Sequence, residues 1–168
     1  MAQYRIDSER SEVFVEARSN VHPIEIRTQG VKGTIDVEVR NGQIDLSSAP
    51  RADLEIAAEL LRSGIDLYDS EIHRRIEVRK YRTIKGQLRD ASQIGPGRYR
   101  LRGTLSLHGV TQDIEGEVSL RTGDDWLEVE GAKTLDMRDF KLEPPKILML
   151  EVQAQISLRA KIRAVRAG

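Results

Sequence analysis

The side chains able to do chemistry are few and widely spaced. There are three histidines, His22, His73 and His108, and no cysteine. None of the histidines falls in an HxH or HExxH spacing, so local spacing assembles no metal site. The absence of cysteine excludes thiol nucleophiles, disulfide frameworks and Cys-based zinc sites. No G-x-S-x-G surrounds any serine, so a nucleophile elbow is lacking. Asp136, Arg138 and Asp139 form a charged cluster. Two acids there could serve hydrolysis, but a salt bridge that pins a loop is the expected role. His108 at a strand end and His22 before Pro23 are expected to hold turns by hydrogen bonds. The chain is therefore expected to be no enzyme and to need no cofactor or metal.

Charge narrows the partners. Lys plus Arg is 27 and Asp plus Glu is 27, without the basic excess of a dedicated nucleic-acid binder. Aromatic residues are 4% of the chain, too few for a platform that stacks single-stranded bases. Arg74, Arg75, Arg79, Lys80, Arg82 and Lys85 make a basic stretch, interrupted by Glu77. A solvated face is the expected reading, with a transient membrane-surface contact as the functional alternative. A homodimer also stays open. The N-terminal Met1-Ala2-Gln3-Tyr4-Arg5-Ile6-Asp7 has no apolar core and no small-residue cleavage site. A cytoplasmic location is expected, or a periplasmic one if a leader has been removed.

The elements that hold these residues are strands. From Leu148 the even positions read Leu148, Leu150, Val152, Ala154, Ile156, Leu158, Ala160, Ile162, Ala164, with Glu, Gln, Ser, Arg and Lys between them. This alternation has period 2, and a helix would scatter the same residues on every side. At roughly 3.3 Å per residue the segment spans about 50 Å, a length suited to a strand coiling around a barrel. Val13-Val15-Ala17, Gly33-Ile35-Val37-Val39, Tyr99-Leu101-Gly103-Leu105-Leu107, Ile114-Gly116-Val118-Leu120 and Leu127-Val129-Gly131 alternate likewise. Asn41-Gly42, Gly95-Pro96-Gly97 and Thr122-Gly123-Asp124-Asp125 supply turns. Gly103, Gly116 and Gly131 inside strands mark bends or close backbone approach. Residues 51–62 fit a strand or a helix. Tyr68, Ile72 and Ile76 recur at helical spacing, with Asp66 or Asp69 as a cap, and predict a short helix over 68–76 that closes one barrel end.

About eight strands, each apolar on one face, fit a sandwich or a closed barrel. The expected fold class is all-β: one extended antiparallel barrel over residues 1–168, with no internal domain boundary. Inward candidates such as Ala17, Ala154, Ala160, Gly103 and Gly116 are small, and an eight-stranded barrel has room for side chains or one small ligand. An apolar or amphiphilic ligand inside would touch Leu101, Leu105, Leu107, Leu150, Val152, Ile156 and Leu158. The alternative is a barrel filled by its own Leu and Ile, acting as a structural or protein-interaction module.

Several segments resemble the YceI-like family. Leu105-Ser106-Leu107-His108-Gly109-Val110-Thr111 is similar to its "LTLHGVT" strand end. Asp136-Met137-Arg138-Asp139-Phe140 is similar to "R-x-D-F-G", with Lys141 in place of the glycine. Asp69-Ser70-Glu71-Ile72-His73-Arg74-Arg75 resembles its "R-D-x-H-L" helix, and Lys80-Tyr81-Arg82-Thr83-Ile84 its "K-Y-P-T-I" strand start, with Arg82 for the proline. The resemblance covers roughly residues 3–163. It implies a lipocalin-like barrel that holds a long isoprenoid or fatty amphiphile, in a family of which many members are exported.

Overall fold

Strand β13 (Leu150–Arg166) organises the wall. The structure, a computed structural model, describes residues 1–167. Along β13 the even residues face inward and Glu151, Gln153, Gln155, Ser157, Arg159 and Lys161 face solvent, as a period-2 pattern with one wet face requires. One edge carries β11 (Trp126–Asp136) in unbroken register from Trp126↔Val165 to Asp136↔Gln155. The other edge carries β1 (Ala2–Ile6) at the C-terminal end, through Tyr4↔Arg166 and Ile6↔Ala164, and β2 (Glu12–Ser19) further down, through Lys161↔Glu12 and Ile156↔Ala17.

β1 and β2 are one stave broken by a 3-10 turn at Ser8–Arg10. Ser11 staples the break, because its hydroxyl donates to the Asp7 carbonyl at 2.7 Å and accepts from the Arg163 N–H at 3.0 Å. β3 (Ile24–Thr28) and β4 (Lys32–Val37) form the next stave in the same manner, pairing β2 and β1 respectively. Then β7 (Arg51–Ala57), β8 (Thr83–Gly95), β9 (Arg98–Leu107), β10 (Val110–Thr122) and β11 follow as neighbours back to β13. The result is a closed antiparallel barrel of eight staves, all-β with one α-helix. Where the neighbouring strands β8 and β9 crowd next to the register shift at Leu88/Asp90 a glycine is required: a Cβ on Gly103 would lie 2.0 Å from the Gln87 carbonyl oxygen.

Both ends are covered. At one, the short strands β5 (Val39–Arg40) and β6 (Gln43–Ile44) fold over on Asn41-Gly42, whose φ values of 53° and 75° are those of a type I′ turn. The Ile44 N–H donates to the hydroxyl of fully buried Tyr99 at 2.9 Å, which anchors this hairpin. At the other end lies α1 (Asp66–Ile76), with Ile76 buried and Ile72 packed beside it against Phe140 and Leu142. The ambiguous stretch resolves as a strand to Ala57 and a 3-10 turn at Ala58–Leu60. The helix differs from expectation at its start: Ile65 is the N-cap and no side chain caps it. Asp69 is used otherwise. Its carboxylate accepts from the Ser63 N–H at 2.6 Å and the Ser63 hydroxyl at 2.7 Å, fixing the turn ahead of the helix. Burial pushes the Asp69 carboxyl up, but these hydrogen bonds outweigh it and hold the group below its ordinary value.

Candidate functional site

The interior is not filled. Two cavities of about 310 Å³ and 320 Å³ run along the barrel axis. They share a waist formed by Leu54, Gly86, Leu105, Leu158, Ala160 and Ile162. The lower chamber continues past Val15, Ile26, Ile56, Ile84 and Leu107 to Ile72 and Ile76 of α1, and to Met137 and Phe140. The upper chamber continues past Ile35, Ala52, Leu88, Leu101 and Val118 to Tyr99. An engineered apolar cavity of about 150 Å³ stays dry and binds benzene, so each chamber exceeds the threshold for an apolar guest. Half-exposed Ile156 and Leu158 sit at inward positions of β13. An inward aliphatic side chain that keeps accessible surface faces empty space and not packed neighbours.

Leu101 lines the upper chamber, Leu107, Val152 and Ile156 the lower, and Leu105 and Leu158 the waist. Leu150 lies apart. It is buried in a small cluster with Ala17, Ile24, Val152 and Ile147 of β12 (Lys146–Ile147), which line the lower chamber in its place. Tyr99, which the alternation of its strand puts on the inner face, borders the upper chamber, and Met137 and Phe140 border the lower one although no alternation singles them out, because they lie in a 3-10 turn (Met137–Phe140) outside any strand.

The wall is open between β10 and β11. β10 pairs β11 only from Val118↔Gly131 to Thr122↔Leu127. Below that level β10 stays on β9 down to Val110↔Leu107, and β11 stays on β13 down to Asp136↔Gln155, but the two make no pairs with each other. The Met137–Phe140 turn crosses the base of the gap. There the Gln112 amide donates to the Asp139 carbonyl at 2.7 Å, and His108 Nδ1 meets the Phe140 carbonyl at 3.0 Å. Glu115, Gly116 and Glu117 on one margin, and Gly131, Ala132 and Lys133 on the other, border the upper chamber. The gap is a window into it.

The groups with possible chemistry are otherwise occupied. Arg138 grips Asp136 at 2.7 Å, and this hydrogen-bonded pair holds the Asp136 carboxyl below its ordinary value, while Asp139 contributes its backbone carbonyl to Gln112. His108 Nε2 lies 2.7 Å from the Glu77 carboxylate, so this histidine ties the β9–β10 turn to both the helix end and the base of the window. His22 meets the Tyr68 hydroxyl at 3.2 Å and His73 the Leu61 carbonyl at 2.7 Å. Arg74 and Arg75 both bind Glu71. Among the described residues no three His, Asp or Glu side chains gather as a metal site.

A closed eight-stranded antiparallel barrel with an apolar interior defines a lipocalin-like protein. The sequence matches the YceI-like domain over residues 4–164, and the chain belongs to that family. Among solved structures it is similar to BcnA of Burkholderia cenocepacia, at 14% identity and a TM-score of 0.80 over 95% of this chain and 99% of the other. A polyisoprenoid binding domain from Saccharophagus degradans, implicated in plant cell wall breakdown, matches at 15% identity and a TM-score of 0.80 over 99% of this chain and 100% of the other. The YCEI protein of Campylobacter jejuni matches at 14% identity and a TM-score of 0.67 over 90% and 85%. No curated protein sequence matches.

Proposed function

We propose that this protein is a non-catalytic carrier that holds an apolar or amphiphilic lipid, of isoprenoid or fatty-acid type, along the axis of its barrel. The observation that carries the reading is the pair of aliphatic chambers joined at one waist. Each methylene moved there from water contributes about 0.8 kcal/mol, so a long tail binds without a dense set of polar contacts. A filled barrel serving only as a structural module has no support from an interior of this volume. The polyisoprenoid-binding description of one structural relative agrees with the carrier reading, as does membership of the family.

The test is native mass spectrometry of gently purified protein, paired with solvent extraction and lipid analysis. A reproducible adduct matched to one amphiphile in the extract is expected. A clean apo mass, with no uptake of added isoprenoid alcohols or fatty acids, would overturn the proposal. Ile156→Arg, which puts a charge on the lower chamber wall, is expected to abolish retention in the folded variant.

A further inference from the structure

Residues directly opposite each other in a ladder share a face of the sheet. On β11 the residues opposite the inward side chains of β13 are Leu127 (Ala164), Val129 (Ile162), Gly131 (Ala160), Lys133 (Leu158) and Leu135 (Ile156). Lys133 therefore occupies an inward-facing position, between a glycine and a leucine, opposite a residue of the waist. A lysine in an apolar interior is costly. Lys133 escapes the cost because β10 has parted from β11 at this level, which leaves it exposed at the window.

The neighbouring carboxylates are engaged elsewhere. Glu115 is held by Arg100 and Arg102, Glu117 by Arg98 and Arg100, and Glu130 by Lys161. Among the described residues Lys133 has no ion-pair partner. Across the window stands Gly116, where an added Cβ would meet nothing within 4 Å. The shorter margin of the window, Ala132–Asp136 of β11, makes it about 16 Å tall at roughly 3.3 Å per residue. These features put an unpaired cation on the inner face of the wall, beside an open passage, at the height where the two chambers join.

We infer that the window between β10 and β11 admits the ligand sideways, and that Lys133 holds the oxyanion head, a carboxylate or phosphate, of an amphiphile whose tail lies in the chambers. The inference rests on the carrier reading and adds to it the charge of the head and the route of entry. A charge-assisted hydrogen bond from the ammonium supplies the selectivity. Gly116 keeps the passage clear of a side chain.

The test compares hexadecanoate, hexadecyl phosphate and hexadecanol on the full chain by calorimetry. The wild-type protein is expected to prefer the two anions to the alcohol by about tenfold, with the preference eroded by salt. Lys133→Met should bring the anions down to the level of the alcohol, and Lys133→Glu should invert the order. Gly116→Leu should slow uptake of all three in stopped-flow mixing. A Lys133→Met protein that keeps the anion preference would overturn the assignment of the head, and an unchanged uptake rate in Gly116→Leu would overturn the route. In both cases binding of hexadecanol would leave the carrier reading standing. Failure of the wild type to bind any of the three would sink the carrier reading itself. Anion selectivity toward one of the two heads alone identifies carboxylate or phosphate as the natural partner.

Discussion

The two edges of β11 are built differently. Toward β13 every residue from Trp126 to Asp136 is paired, whereas toward β10 the pairing ends at Val118↔Gly131. The first edge makes wall and the second makes a doorway, from one strand and one alternating pattern. Above the opening both edges are tied together outside by buried Glu128, which binds Arg121 of β10 and Lys161 and Arg163 of β13, with the Arg163 guanidinium at 2.9 Å. The open edge has glycine at its apex and a 3-10 turn at its base. Barrel closure and barrel access can thus be set independently on the two sides of a single strand.

The largest contrast should be in amide exchange. Within Ala132–Asp136, amides directed to β13 are expected to exchange on the order of a thousandfold more slowly than those directed to the window. Uniform protection across both sets would show that the window closes in solution. Next come the glycines. Gly103→Ala drives a methyl to 2.0 Å from a carbonyl oxygen in the continuous wall, and should cost about 3 kcal/mol in urea unfolding. Gly131→Ala, at the apex, meets Val118 Cγ1 at 2.9 Å and the Glu117 carbonyl at 3.0 Å, and should cost about 2 kcal/mol while widening the window. A Gly131→Ala protein as stable as wild type would mean that β10 yields freely there.

Glu128→Gln should remove about 1–2 kcal/mol where β10, β11 and β13 are joined. Burial pushes the Glu128 carboxyl up, but hydrogen bonds from Arg121 and Arg163 and the nearby Lys161 charge outweigh it and hold it below its ordinary 4.5. A carboxyl lowered in the folded state stabilises fully above its unfolded value, and the contribution is lost as pH falls through the lower folded value. Wild-type stability should therefore decline below about pH 4.5, and Glu128→Gln should decline less steeply. Parallel curves would show that the cluster contributes nothing specific. The smallest effect belongs to Gly116→Ala, near zero, because its Cβ enters open space.

The inner face of the barrel was legible because alternation reports burial directly. Leu101, Leu105 and Leu158 show their side of the wall from neighbours alone. The partner of each edge was not legible, since period 2 fixes a face and not who is hydrogen-bonded to it. For the same reason the window left no mark in composition. Lys133 could have been found: continuing Leu127-Val129-Gly131 by two residues puts it on the apolar face, but the glycine reads as the natural end of the strand. Leu150 has the inward parity and is buried, but it packs against Ala17, Ile24, Ile147 and Val152 and lines neither chamber, which alternation cannot show because period 2 reports a face and not a depth. The start of α1 misled because Asp69 has a nearer use in Ser63.

The placement of β13 also constrains how the chain reaches its native state. Tyr4 finds its partner at Arg166, and Glu12 at Lys161, so one edge of the N-terminal stave stays unpaired until β13 is made, while its other edge can pair β3 and β4. Pairings of such sequence separation carry a large loop-closure entropy and are associated with folding in milliseconds to seconds. The meander from β7 to β11 can form from local hairpins in the meantime. During that interval β1, β2 and β11 present bare edges, the usual templates for aggregation. Arg5, Arg18, Glu128 and Glu130 on those strands supply the charge that keeps such edges apart until the final strand slots between them.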